Sequence, residues 1–338
     1  MSDVVLQVNG LEAGYERPRG HGFGRRRISA VAGIDLTVEA GRTLGIVGES
    51  GCGKSTLARA IVGLRPAFAG SIEFAGHDLA TVPARRRRRI GRDLQMVFQD
   101  PYTSLNPRMT VAAVIAEGWR VHSGIVSRDG YAAEVARLLD LVGLRPEYGT
   151  RHLHELSGGQ CQRVAIARAL ALRPRLIVCD EAVSALDVSV RAQILNLMAD
   201  LQTELGIAYL FISHDLDVVR HIAHDVAVMY LGTIVERGPA AEVFGSPRHP
   251  YTRALVSAAP SVHDRPGTVA DEIVLTGEVP SPESPPAGCR FRTRCPVAAD
   301  VCAEKVPALT DRGGPGHPVA CHFAEAGGAA LPSPAATA

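Results

Sequence analysis

Apolar residues along this chain follow two rhythms. Short unbroken runs, Thr43 to Val47, Leu176 to Cys179 and Tyr209 to Ser213, read as strands buried on both faces, with Ile34 to Val38 as a further strand. Elsewhere the apolar positions recur at three and four residues and predict helices. Leu57, Ile61 and Leu64 share one face of Ser55 to Leu64, and Cys161 to Leu172 is a helical run. Val135, Leu138, Leu139 and Val142 share a face of Tyr131 to Val142, which Gly143 stops. Ile194, Leu197, Met198, Leu201 and Leu205 point inward from Val190 to Leu205, which ends at Gly206. The apolar stretch Val226 to Val235, broken at Leu231-Gly232, predicts a hairpin at the edge of the core. Residues 1 to about 98 and about 173 to 244 thus alternate strands and helices as a parallel α/β core does, with a helical insert over about 99 to 172 between them. After Phe244 the character changes, because 12 of the 22 prolines lie between Tyr251 and the C-terminus. The boundaries expected are therefore 1–250 for the main domain and 251–338 for an extension.

With 338 residues, 46% of them hydrophobic, the chain is long enough for a large core and a second unit. No apolar run reaches the roughly 18 residues of a membrane span, and the N-terminus lacks the basic-then-apolar layout of a signal peptide. A formal net charge of +1 gives no general attraction to nucleic acid, so no nucleic-acid partner is expected. The one dense basic run, Arg85 to Arg89, reads as a solvated helix face.

Chemistry enters with Gly48-Glu49-Ser50-Gly51-Cys52-Gly53-Lys54-Ser55-Thr56, a glycine-rich loop whose backbone N–H groups can wrap a polyphosphate. A buried strand leads into it and a helix leaves it, so the phosphates of a nucleoside triphosphate such as ATP meet a helix N-terminus. Lys54 is placed to reach the β- and γ-phosphates and Ser55 to ligate Mg²⁺. Far downstream the run Leu176 to Cys179 ends in Asp180-Glu181. An ionised carboxylate pair is costly to bury, so it belongs at the strand's end beside a cation and water. Asp180 suits the magnesium shell, and Glu181 suits the general base that activates the attacking water.

A second anion site follows from Leu156-Ser157-Gly158-Gly159-Gln160, where a hydroxyl, two glycines and a helix start again favour phosphate. One loop already holds the nucleotide, so a single chain has no evident use for both. With these three motifs in this order the chain resembles the ATP-binding cassette (ABC) ATPases. The resemblance implies an α/β P-loop NTPase core of the ABC type with an edge antiparallel β subdomain, a helical insert subdomain and a small Cys/Pro-rich C-terminal extension. It further implies that the signature Ser157 to Gln160 closes on the nucleotide of a partner ATPase. By the same resemblance Gln99, in Val97-Phe98-Gln99-Asp100-Pro101, touches magnesium and the attacking water, and Asp187, in Ser184-Ala185-Leu186-Asp187, crosses the dimer interface. His214 matches the switch histidine on the γ-phosphate. Tyr15 matches the aromatic that stacks on adenine, although the insertion Arg17 to Arg27 follows it and a core tyrosine is the competing reading. The chain departs from the family at Ala182, where proline is frequent, and at Cys161, where a polar or basic residue is commoner.

The extension holds four of the seven cysteines, Cys289, Cys295, Cys302 and Cys321, whereas Cys52, Cys161 and Cys179 are scattered through the core. Disulfides are disfavoured in a cytosolic ATPase, so a clustered tetrad argues for a metal. Its spacing lacks the short opening gap usual for zinc, and a thiolate-held iron–sulfur cluster is also a four-cysteine site. The segments Pro247 to Leu255, Gly277 to Pro282, Cys289-Arg290-Phe291, Cys295-Pro296 and Val319 to His322 resemble the tail of ATPase subunits of oligopeptide and dipeptide importers. That resemblance implies a 4Fe-4S cluster on the four cysteines, with His322 as a neighbour. It also implies a second, similar ATPase in a heterodimer, two transmembrane permease subunits, an external substrate-binding protein, and a place on the cytoplasmic face of the membrane. Import of another solute, such as nickel or glutathione, is the alternative within transporters, and a soluble ABC ATPase acting on ribosomes or DNA the alternative outside them.

Overall fold

The computed structural model describes residues 3–18, 25–259, 273–311 and 316–324. The chain divides into two compact units: Met1–Gln7, Thr37–Thr43 and Ile72–Ile212 form one, and Val8–Leu36, Leu44–Ser71 and Ser213–Ala338 form the other.

Three parallel strands organise the first unit. Leu94–Val97 pairs with Leu176–Asp180, which pairs in turn with Ala208–Ile212. Every residue of the latter two is buried, which is why their sequence reads as continuous apolar runs instead of alternating ones. Between the first two strands the chain is helical, through Pro101–Ser104, Val111–Ile115, Glu117–Val121, Tyr131–Leu141 and Gly158–Leu170. Trp119 anchors this region: its indole N–H donates to the Ala171 carbonyl at 2.7 Å, and its ring lies 4.9 Å from that of Tyr131. Val135, Leu138, Leu139 and Val142 are buried as their spacing predicts, and Gly143 ends the run at φ +69°. The helix Val188–Leu205 buries Ile194, Leu195, Met198 and Leu201. Two of its expected inward positions differ. Leu197 is only half-buried, and Leu205 is 44% exposed because it is the last helical residue before the left-handed cap at Gly206. Arg85 to Arg89 are all exposed on the helix Ala84–Asp93, as a solvated face requires.

The second unit carries the strand residues Leu44 to Val47, paired in parallel with Asp225–Tyr230, which pairs antiparallel with Thr233–Pro239. The expected hairpin is present. Leu231 and Gly232 turn it with φ of +40° and +84°, the double left-handed geometry of a tight two-residue turn. The helix after the glycine loop spans Lys54–Ile61 and stops short of Leu64, because Gly63 turns away at φ +76° and leaves Leu64 62% exposed. Ile34 to Val38 lies inside a longer strand, Arg25–Glu39, and Arg17 inside Val4–Pro18. Both ends of the Arg17 to Arg27 insertion are therefore strand, and its residues 19–24 lie outside the described ones.

Residues of the extension share this second unit with the glycine loop. Two features hold them. The rings of Tyr230, Tyr251 and Phe291 meet pairwise with centroids 4.7, 5.2 and 5.5 Å apart. The fully buried Glu236 carboxylate accepts hydrogen bonds from the Arg248 N–H at 2.7 Å, the His249 N–H at 2.9 Å and His317 Nε2 at 2.7 Å. Burial works to raise its pKa, but the His317 and Thr252 side chains and the two backbone N–H groups outweigh that and hold it below the ordinary value.

His249, beside it, is buried and neutral: burial drives its pKa from 6.5 down to about 4, and its Nδ1 accepts the Tyr251 N–H at 3.1 Å. Below pH 6.5 the unfolded chain takes up a proton here that the folded chain refuses, so stability should fall as the pH drops from about 6.5 towards 4, by roughly 3 kcal/mol in total. Glu236 acts with the same sign, but only below the usual carboxylate range. Urea melts at pH 7.5 and pH 5 should show the loss, and His249→Gln should flatten it. A pH-independent midpoint would contradict a neutral buried His249.

Candidate nucleotide site

The glycine loop of the second unit is shaped by backbone that only glycine tolerates. At Gly48 (φ +154°) a Cβ would lie 2.1 Å from the Met229 carbonyl oxygen, and at Gly53 (φ +111°) 2.1 Å from that of Ala30. Gly53, at the N-cap of the helix Lys54–Ile61, brings no side chain to that helix end, the end whose dipole favours an anion. Lys54 is buried, and its Nζ donates to the carbonyls of Gly48 at 2.7 Å and Glu49 at 2.9 Å. Cys52 is buried beside it, Sγ 3.8 Å from Nζ, and burial raises its thiol pKa. Ser50 and Gly51 are exposed at the tip of the loop, Ser55 is half-buried, and the buried Thr56 shares a 3.3 Å hydrogen bond with the Tyr15 hydroxyl. Tyr15 is 43% exposed and carries the Arg65 guanidinium 4.0 Å from its ring centre, so it is not a core tyrosine.

His214, in the same unit, is exposed immediately after the strand end. Its neighbours fix the turn: the Ser213 N–H donates to the Ile46 carbonyl at 3.1 Å, and the Asp215 N–H to Ser213 Oγ at 3.0 Å.

The remaining candidates belong to the first unit. Asp180 is buried at the end of its strand. Glu181 sits in the left-handed region at φ +51°, a strained conformation for a residue with a Cβ and one that concentrates at working sites. The surrounding bonds impose it: the Glu181 N–H donates to the Ile212 carbonyl at 3.0 Å, and the Ser184 N–H and Oγ both donate to the Glu181 carbonyl. Gln99 is exposed and donates to Ser184 Oγ at 3.3 Å, so the loops bearing Gln99 and Glu181 meet. Ala182 is buried where proline is frequent in the family.

Ser157 and Gln160 form a reciprocal cap on the helix Gly158–Leu170. Ser157 Oγ accepts the Gln160 N–H, and Gln160 Oε1 accepts the Ser157 N–H. The Ser157 hydroxyl proton remains available to an outside acceptor. A Cβ at Gly159 would meet Val190 at 2.4 Å. Cys161 is fully buried with Sγ 3.4 Å from the Leu153 carbonyl, a packing role consistent with its place beside the signature. Asp187 is exposed and opens the helix Val188–Leu205. Two tyrosines absent from the sequence reading support this region: Tyr102 donates to the Leu156 carbonyl, and Gln160 Nε2 to the Tyr148 hydroxyl.

Cys289, Cys302 and Cys321 are buried and Cys295 is half-buried. Burial pushes the Cys295 thiol up to about 12, and the other three cysteines add to that shift, so the four lie within electrostatic reach of one another. Among the described residues, however, no three His, Cys, Asp or Glu side chains approach closely enough to hold a metal ion, so the structure gives no support to the expected 4Fe-4S centre on Cys289, Cys295, Cys302 and Cys321.

A glycine phosphate loop set between a buried strand and a helix is the hallmark of a P-loop nucleotide-binding protein. Residues 31–184 match the ABC transporter family, and residues 235–302 match the oligopeptide/dipeptide transporter C-terminal region. The di/tripeptide transport ATP-binding protein DppF of Pseudomonas aeruginosa is 47% identical over 96% of this chain and 98% of its own length. The oligopeptide transport ATP-binding protein OppF of Salmonella typhimurium is 47% identical over 94% of this chain and 96% of its own. Among solved structures, cbiO1 of Clostridium perfringens, part of the ABC transporter complex cbiONQ, matches with a TM-score of 0.62 and 29% identity, covering 72% of this chain and 91% of that one. The chain belongs to the ABC transporter ATP-binding proteins, in the branch that carries the oligopeptide/dipeptide transporter C-terminal region.

Proposed function

We propose that this chain is the ATP-hydrolysing subunit of an importer that takes up di- and oligopeptides across the cytoplasmic membrane. The observation that carries this reading is the C-terminal match: the likeness to named peptide transport ATP-binding proteins runs through the extension as well as the cassette. Lys54 and the loop from Gly48 to Thr56 take the phosphates, Ser55, Asp180 and Gln99 the magnesium ion, and Glu181 the proton of the attacking water, with His214 on the γ-phosphate. Tyr15 is assigned to adenine. Ser157, Gly158, Gly159 and Gln160 serve the nucleotide of a second ATPase, with Asp187 at that interface. The strained backbone at Glu181 supports its part in this scheme.

No described helix is long and apolar enough to cross a membrane, which fits a subunit that works on the cytoplasmic face through two permease partners, with an external binding protein choosing the peptide. The 4Fe-4S cluster on the four extension cysteines remains a proposal that rests on the likeness of the extension to the peptide-importer tail. Such a cluster would supply a covalent staple or a one-electron site, held by Cys289, Cys295, Cys302 and Cys321.

Cells whose only copy carries Lys54→Ala should lose uptake of labelled di- and oligopeptides by about a factor of ten or more, since a buried ammonium that serves the phosphates is removed. Unchanged uptake would move this chain to another solute.

A further inference from the structure

The second residue of the phosphate loop is an acid. Glu49 follows Gly48 directly, so it puts a negative charge into the loop that would receive the negative charges of a triphosphate. Left alone it would oppose that ligand, and it is not left alone. Arg294 of the extension grips it with both ends of its guanidinium, Nη1 to Oε2 at 2.7 Å and Nη2 to Oε1 at 3.1 Å. Side-chain exposures of 8% for Arg294 and 25% for Glu49 place the pair largely away from water, where screening is weak. Arg294 is fixed in turn: its N–H donates to the Phe291 carbonyl at 3.0 Å, and its guanidinium lies 6.0 Å from the Tyr230 ring centre. The backbone of Glu49 is tied to the extension as well, through its N–H and the Tyr251 hydroxyl at 2.8 Å. Both the charge and the position of this loop residue are therefore set from beyond residue 250.

We propose that Arg294 is a positioning residue for the nucleotide: by neutralising Glu49 and holding it back from the phosphates, it lets the C-terminal extension set the affinity of the phosphate loop for ATP. The inference rests on the reading that this loop binds ATP. It deepens that reading by adding a residue which no nucleotide-binding motif contains.

Its effect is electrostatic, so its signature is a dependence on ligand charge and on Glu49. In the full-length chain, Arg294→Gln should weaken ATP about tenfold, within the 5- to 150-fold range of ordinary intramolecular coupling, and adenosine hardly at all. Glu49→Gln/Arg294→Gln should recover most of the loss, because the charge that Arg294 offsets is gone. Arg294→Lys, which keeps the charge without the fork, should fall between, and the deficits of both single variants should shrink as salt screens the repulsion between Glu49 and the phosphates. Equilibrium titration with ATP, ADP and adenosine reads all of these, with nucleotide-free melting curves to report folding. If Arg294→Gln does not fold, Arg294→Lys and the double variant carry the comparison. An ATP affinity unmoved in folded Arg294→Gln, or a loss equal for ATP and adenosine and not recovered by Glu49→Gln, would overturn the proposal. If the unaltered chain does not bind ATP, it is the nucleotide-site reading that fails instead.

Discussion

Glu181→Gln should lower steady-state ATP hydrolysis by about 10²–10³-fold while leaving ATP binding intact, the span expected when a general base is removed without loss of shape. The substitution is nearly isosteric. Glutamine has the same branching at Cβ, so the φ of +51° and the bonds that impose it, to Ile212 and Ser184, are kept. What changes is the ability to accept the proton of the attacking water. With binding preserved and turnover blocked, the chain should accumulate as a closed pair with the proposed second ATPase in the presence of ATP and Mg²⁺. Phosphate release by the reconstituted transporter measures the first effect and size-exclusion chromatography with ATP the second. Turnover within about twofold of the unaltered protein would remove Glu181 from the role of base and return attention to His214 and Gln99.

Glu236→Ala carries the largest expected cost to the fold. Its carboxylate is the shared acceptor for Arg248 N–H, His249 N–H and His317 Nε2, and none of those donors gains water when it is deleted, because the site is fully buried. Removing one member of a buried charged network typically costs about 3–5 kcal/mol, against about a tenth of that for an exposed pair. For a domain of this size the melting temperature should fall by about 10 °C. Calorimetry tests the magnitude, and loss of hydrogen-exchange protection at the Arg248 and His249 amides tests the location. A shift of under about 2 °C would mean that the network relaxes around the gap.

Those two residues differ in how far local sequence announces them. Glu181 closes an unbroken apolar run, and the paired carboxylate at the end of a buried strand is legible from a dozen consecutive residues. The strands, the hairpin at Leu231-Gly232 and the glycine loop are legible for the same reason, since period and turn chemistry act over short separations. Helix ends are less so: the stripe through Leu57 and Ile61 runs on to Leu64, and only the backbone turn at Gly63 shows that Leu64 is outside. Glu236 reads as one acid in an ordinary strand, and nothing near it names His317 as its partner. Arg294 is further removed still, 245 residues from the carboxylate it grips. Contacts of that kind depend on tertiary folding, to which periodicity is blind. The metal expectation fails to gain support for a related reason, because cysteine spacing along the chain does not fix distances between sulfurs.

The placement of the extension in one compact unit with the phosphate loop bears on how such subunits can be recombined. A tail grafted from another transporter would bring its own residue to position 294 and would meet whatever acid or neutral residue the recipient holds at position 49. In this chain the cassette and its tail are thus matched at Glu49 and Arg294, two positions near opposite ends of the sequence, and a tail exchanged into it should be chosen with both in view.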